Sequence, residues 1–183
     1  GMGQLQYISA ERPDLPYSMK KLGHKLAAPS EADELALKKL IRHAIATKDY
    51  KMFLLFDPDA IKVKGREVLQ VFVDSDWAGD KETRKSTTSV SIYLNSMLLQ
   101  ASCISQSSVA QSSAEAEYYA LASAAADALY VETLMVDSSQ EAPLLFLYND
   151  ASAARATAAR QGLTRRLRHI ELKHLFVQHL VKT

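Results

Sequence analysis

Apolar residues recur along this chain with two different periods, and the changes of period divide it into elements. In residues 14–26 ("DLPYSMKKLGHKL") Leu15, Met19, Leu22 and Leu26 fall on one side of a helix. Asp14 is placed to cap that helix, and Pro16 suits its first turn. After the break "AAPS", Ser30 is placed to cap a second helix over 31–47. Leu35, Leu37, Leu40, Ile41 and Ala44 form its apolar side, and Lys38, Lys39 and Arg42 its wet side. The stretch "YKMFLLF" (50–56) reads as a strand and "DPDA" as a turn. From residue 67 the period is close to two. Leu69, Val71 and Val73 point one way; Val68, Gln70, Phe72, Asp74 and Asp76 point the other, under whatever covers that face. "SVSIYL" and "MLLQASCIS" are two more strands, with Asn95-Ser96 as the hairpin turn between them. Helical spacing returns over 113–137. "LLFLY" (144–148) is the continuous apolar run of a strand buried on both faces. A helix over 151–161 and a last one from 169 to the end, with Leu172, Leu175, Phe176, His179 and Leu180 on one side, complete the pattern.

The order is therefore two helices, three strands, a helix, a strand and two helices. Strands joined by short links pair antiparallel, whereas a strand reached through a helix pairs parallel. The expectation is an α/β fold with a mixed sheet and helices on both faces.

Composition narrows this picture. The 183 residues, 48% of them hydrophobic, suit one globular domain with a small appendage. Gly1-Met2-Gly3 reads as a tag remnant and is set aside. No signal peptide is visible, and no apolar run approaches the roughly 20 residues of a membrane span, so no membrane partner is expected. The single Cys103 has no partner for an internal disulfide and reads as a buried structural thiol. No Cys/His spacing fits zinc. The net charge is +1, but it is unevenly placed. Residues 151–183 carry seven Lys/Arg against one acid, Glu171, while the first 150 residues hold 15 basic and 20 acidic groups, a balance of −5. A basic end beside an acidic body fits a polyanion approached through cations.

The acids carry the chemistry. Asp74 lies on a strand, where a bare carboxylate under cover is costly unless paired or bound to a cation. Asp76 and Asp80 sit at the strand exit "DWAGD" and read as turn or rim groups. Ser112 and Glu115 have capping-box spacing, which gives Glu115 a structural job. Glu117 has no such job. It lies about 200° round the helix from Glu115, on the side of Leu121 and Ala124 where small residues admit a close sheet. Asp150 ends the apolar strand and opens the next helix, a place for an N-cap and equally for a ligand group at a parallel strand's C-terminal end. Gathered in one pocket, three carboxylates raise one another's pKa unless a cation intervenes. An all-oxygen donor set points to Mg²⁺ or Mn²⁺.

With these residues in place, the chain resembles the ribonuclease H domain of Ty1/copia-type retrotransposon polyproteins. That family's blocks read approximately "SDADWAGD…RKSTSGY", "SSTEAEYIAL", "LYCDNQSA" and "KHIDIRYHFVRE"; here they stand as "VDSDWAGDKETRKSTTSVSIYL", "SSAEAEYYALASAA", "LYNDASAA" and "RHIELKHLFVQ". "ERPDLPYSMKKLGHKL" and "LKKLIRHAIATKDYKM" are similar to the segment joining reverse transcriptase to ribonuclease H. The resemblance implies a helical connection segment over 1–49 and a ribonuclease H-like domain over 50–183, a mixed sheet flanked by helices. It implies metal-dependent cleavage of the RNA strand of RNA–DNA hybrids during reverse transcription. Asp74, Glu117 and Asp150 match the family's metal-binding and catalytic acids. The implied partners are the hybrid and the reverse transcriptase domain of the same polyprotein, and the implied location is a cytoplasmic virus-like particle. Arg165, Arg166, Arg168 and Lys173 are the expected phosphate contacts.

Departures also stand out. The family continues with a strand and a helix bearing a fourth acid, which this chain, stopping at "VQHLVKT", lacks. Glu171 replaces the aspartate of "HID" and reads as a helix residue beside Arg168; His169 and His174 read as helix-face residues. "QASCISQSSVAQSS" lacks the Lys/Arg of "SWKSKKQKTVALSS", and Asn149 stands where the family has cysteine, a change expected to matter little. The alternative reading is a degenerate module that binds hybrid or serves in assembly without cutting.

Overall fold

A strand that buries its apolar face must pair its backbone N–H and C=O groups, so the period-two segments must find one another. In the computed structural model, which describes residues 2–54, 62–138, 140–160, 170 and 174–181, they form one mixed sheet. Strands β1 (Val68–Asp76), β2 (Thr87–Leu94), β3 (Met97–Ser105) and β4 (Leu144–Tyr148) lie in the order β3-β2-β1-β4. β1 pairs antiparallel with β2, β2 antiparallel with β3, and β1 parallel with β4. The turn between β2 and β3 is the expected Asn95-Ser96. Both residues take positive φ, 47° and 71°, as a two-residue hairpin turn requires.

The helices are α1 (Met2–Ile8), α2 (Pro16–Gly23), α3 (Glu31–Ala46), α4 (Ser113–Asp137), α5 (Ser152–Ala159) and α6 (Val177–Leu180). Ser30 caps α3 through a full capping box with Asp33. Ser112 caps α4 by accepting from the Glu115 amide. Glu115 answers one residue further back, accepting from Gln111 N at 3.0 Å, and also takes the Tyr119 hydroxyl at 2.7 Å. Its job is structural, as the spacing predicts.

α4 lies across one face of β1 and β2, where its small residues Ala116, Ala120 and Ala124 allow a close approach to Leu69, Val71, Val73, Val90 and Ile92. α5 and α6 pack on α4, and the Tyr118 hydroxyl donates to His174 O at 3.0 Å. The His174 ring lies tilted against the Tyr119 ring, with centroids 4.5 Å apart. A second, smaller core of Leu5, Leu15, Met19 and Leu40 joins α1, α2 and α3. α2 touches Thr87 through Lys20 Nζ (2.6 Å) and Ser105 through His24 Nε2 (2.7 Å). Thr87 is opposite Asp76 and Ser105 in the ladder, so α2 sits on the Asp74 side of the sheet, facing away from α4.

Several expectations are corrected. α1 includes Met2 and Gly3, set aside as a tag remnant, and Met2 packs against the small helical core. Asp14 does not cap α2, whose N-cap is Leu15 without a side-chain bond. Instead Asp14 bridges Arg12 and His43. Residues 50–54 form no strand, and Tyr50, Met52, Phe53 and Leu54 are exposed there. Residues 55 and 56 lie outside the described residues. β4 is buried on one face only: Leu145 and Leu147 pack into the core while Phe146 and Tyr148 face outward. The Phe72 side of β1 is likewise open, with α2 covering only its β3 end. There Phe72 stacks on Tyr148 with ring centroids 4.8 Å apart. Cys103 is half-buried rather than buried, and accepts from Ser89 Oγ at 3.7 Å. At the chain's end the buried side of α6 is Val177 and Gln178, with His179 and Leu180 outward. His169, Glu171 and Leu172 lie outside the described residues.

Candidate metal centre

Three chain segments end at one place. β1 delivers Asp74 two residues before its end, on the open face. The parallel neighbour β4 stops at Tyr148, and Asn149 and Asp150 follow at its C-terminal edge. α4 crosses beneath with Glu117 in its second turn, buried against the sheet. One oxygen of each of Asp74, Glu117 and Asp150 lies within 4.8 Å of the others. The three acids singled out from the sequence are therefore one cluster, Asp74 and Asp150 exposed and Glu117 buried.

Glu117 is held from two sides. Its Oε1 accepts from the Ser75 amide at 3.2 Å, and its Oε2 accepts from Asn149 Nδ2 at 2.7 Å. Those bonds favour the ionised form, yet burial outweighs them. With Asp74 and Asp150 adding repulsion, burial raises the Glu117 pKa above the ordinary carboxylate value. Among the described residues no Lys or Arg forms an ion pair with any of the three. Among the described residues the cluster thus concentrates negative charge without a paired cation. Three carboxylate oxygens with no sulfur or imidazole fit a hard divalent cation.

The surroundings define the rest of the cleft. Phe72 and Tyr148 make its apolar floor, Ser89 and Ser91 add hydroxyls from β2, and Arg155 lines it from α5. Arg155 donates to the Asn149 carbonyl. Asp150 is not the N-cap of α5: that position is Ala151, whose amide donates to Asn149 Oδ1 at 2.9 Å. α5 has no side-chain cap, and the Asx turn of Asn149 leads into it, so the Asp150 carboxylate is not used for capping.

Asp76 and Asp80 stand apart from the cluster, as turn and rim groups should. Asp76 is the last residue of β1, and its carboxylate lies against Gly79. A Cβ at Gly79 would come within 1.9 Å of Asp76 Oδ2. Asp80 accepts from the amides of Glu82 and Thr83 and is pulled down to about 2 by Thr83 and those backbone bonds. Trp77 pins the same turn by donating from its indole to Ala110 O at 3.1 Å. Arg165, Arg166, Arg168 and Lys173, the expected phosphate contacts, lie outside the described residues. Sequence reasoning missed Asn149 and the Ser75 amide as partners of Glu117, and did not place Arg155 at the cleft. The signal available for Asn149 was a buried strand's end followed by an Asx-turn residue just before a helix.

The chain is 29% identical over 184 residues to the retrovirus-related Pol polyprotein from transposon RE2 of Arabidopsis thaliana, covering 100% of the chain and 12% of that polyprotein. It is 28% identical over 186 residues to the one from transposon RE1 of the same plant, with the same coverage of 100% and 12%. It is also 30% identical over 131 residues to secreted RxLR effector protein 161 of Plasmopara viticola, covering 71% of the chain and 87% of the effector. The chain therefore spans about an eighth of the length of the transposon polyproteins it matches. No family model matches the chain, and no solved structure matches it significantly.

Proposed function

We propose, for a chain homologous over its full length to copia-type retrotransposon Pol polyproteins, that it is a ribonuclease H-type module cutting the RNA strand of RNA–DNA hybrids. The observation that carries the reading is the convergence of Asp74, Glu117 and Asp150, from three separate elements, to within 4.8 Å. Keeping three acids together costs stability, and a cation-dependent task explains the arrangement.

Asp74, Glu117 and Asp150 would hold Mg²⁺ or Mn²⁺. Such ions, when bound, polarise a phosphate and lower the pKa of water at neutral pH. The chain's own residues do the positioning. Glu117 is fixed by Ser75 and Asn149, so its carboxylate needs no reorganisation when a ligand arrives. Asp74 and Asp150 remain exposed toward the cleft, where a phosphodiester can reach them. Arg155, at the rim, is a cation available to a neighbouring phosphate. Ser89 and Ser91 offer hydroxyls along the open face, where a 2′-hydroxyl could distinguish RNA from DNA. Residues 1–49 act in this reading as the connection to a preceding reverse transcriptase domain, docked on the sheet through α2.

The test is a duplex labelled on each strand in turn. With Mg²⁺ the RNA strand of a hybrid should be cut internally, the DNA strand and duplex DNA should not, and Asp74→Asn should abolish cutting. Metal-dependent binding of hybrid without cleavage would leave a binding module instead. Cleavage that persists in Asp74→Asn would refute the assignment.

A further inference from the structure

Asn149 is buried, and its one side chain touches every element that brings an acid to the cluster. Its Nδ2 donates to Glu117 Oε2 on α4 at 2.7 Å and lies 3.4 Å from Val73 O on β1. Its Oδ1 accepts from the Ala151 amide at the start of α5, at 2.9 Å. Val73 immediately precedes Asp74, and Ala151 immediately follows Asp150. A single amide thus ties together the backbone beside two of the acids and the carboxylate of the third. An Asx turn needs only the Oδ1 bond; the donor end of the amide is spent on the site.

We propose that Asn149 is a positioning residue that fixes the Glu117 carboxylate in the orientation a divalent cation requires. The inference rests on the metal-centre reading above and adds a residue to it. A carboxylate accepts at about four lone-pair positions. Ser75 N occupies one oxygen and Asn149 Nδ2 the other, which locks the plane of the group while leaving lone pairs for a cation. Without the amide the buried glutamate rotates about its last torsions, driven by repulsion from Asp74 and Asp150. Partners that orient metal ligands in this way are typically worth about 10–100-fold in metal affinity.

The decisive variant is Asn149→Ser. Its hydroxyl can still accept from the Ala151 amide and keep the turn, but it is about 1 Å shorter and falls beyond hydrogen-bond range of Glu117. Mn²⁺ binding to the isolated full chain is followed by EPR, beside metal-free melting of the same samples. The expected result is Mn²⁺ binding weakened about 10-fold in Asn149→Ser and in Asn149→Ala, with the metal-free melting of Asn149→Ser close to that of the unaltered chain. If Asn149→Ala does not fold, the serine variant carries the test. Unchanged Mn²⁺ affinity in Asn149→Ser overturns the proposal and leaves the metal centre standing. So does a loss of affinity that merely follows a matching loss of metal-free stability. An unaltered chain that binds no Mn²⁺ removes the metal reading itself, and this inference with it.

Discussion

Replacing Asp74 with Asn should make the metal-free protein more stable while destroying its response to Mg²⁺. The acid oxygens lie within 4.8 Å of one another. Two unit charges at that outer limit repel by about 1 kcal/mol in water-like surroundings and by about 3.5 kcal/mol at an effective dielectric constant of 20. Asp150 is exposed, so its term lies near the lower figure; Glu117 is buried, so its term is larger. Asp74 carries no side-chain hydrogen bond among the described residues that the substitution would sacrifice, apart from any made to solvent. After salt screening a net gain of about 1–2 kcal/mol is expected. At about 2–4 °C per kcal/mol for a chain of this size, the metal-free melting temperature should rise by roughly 2–8 °C. Mg²⁺ at ten times its dissociation constant would stabilise the unaltered chain by about 1.4 kcal/mol through mass action, and Asp74→Asn should show little of that gain. The assay is thermal melting of both proteins across a Mg²⁺ series at fixed ionic strength, where the two stabilities should converge or cross. A variant that melts lower than the parent without metal, or that gains as much from Mg²⁺, would refute the argument.

Two further outcomes are expected away from the site. Asp14 is bonded bidentately to Arg12 and to His43 at 2.7 Å, and these partners, Arg12 first, hold its pKa well below the ordinary carboxylate value. A depressed folded pKa gives stability that is full above the unfolded value, roughly 3.9, and is lost as pH falls through the folded one. Asp14→Asn should therefore cost about 1 kcal/mol at pH 7, screened because the carboxylate is half-exposed, and the difference from the parent should shrink below about pH 4 in a melting series. Ser96 holds φ at 71° in the β2–β3 turn, where a side chain is strained. Ser96→Gly should add about 0.5–1 kcal/mol in a denaturant titration without affecting Mg²⁺ binding.

Local signals carried much of this fold. Alternation identified β1, β2 and β3, the Asn95-Ser96 turn set the pairing of β2 with β3, and Ser30 and Ser112 marked the starts of α3 and α4. The acid cluster was legible because Glu117 sits on an apolar helix face with no local partner, and because strand ends carry Asp74 and Asp150. What escaped was tertiary. An apolar run such as "LLFLY" looks the same whether one face is covered or two, and only the packing leaves Phe146 and Tyr148 exposed. "YKMFLLF" has strand-like composition, but residues 50–54 find no ladder partner, and composition cannot supply one. Asp14 had the residue type of a cap, yet a guanidinium and an imidazole hold its carboxylate more strongly than the helix's first amides. Asn149 reads from sequence only as a cysteine replacement; its partner Glu117 lies 32 positions earlier in the chain, and no spacing rule joins them.

The central claim is that Asp74, Glu117 and Asp150 grip a common divalent cation. Anomalous diffraction from crystals grown in Mn²⁺ tests it directly. The account predicts a manganese peak at about 2.0–2.3 Å from an oxygen of each of the three carboxylates, lost in crystals of Asp74→Asn. A fully occupied manganese site elsewhere on the molecule, with the three side chains turned away from one another and bare, would contradict it.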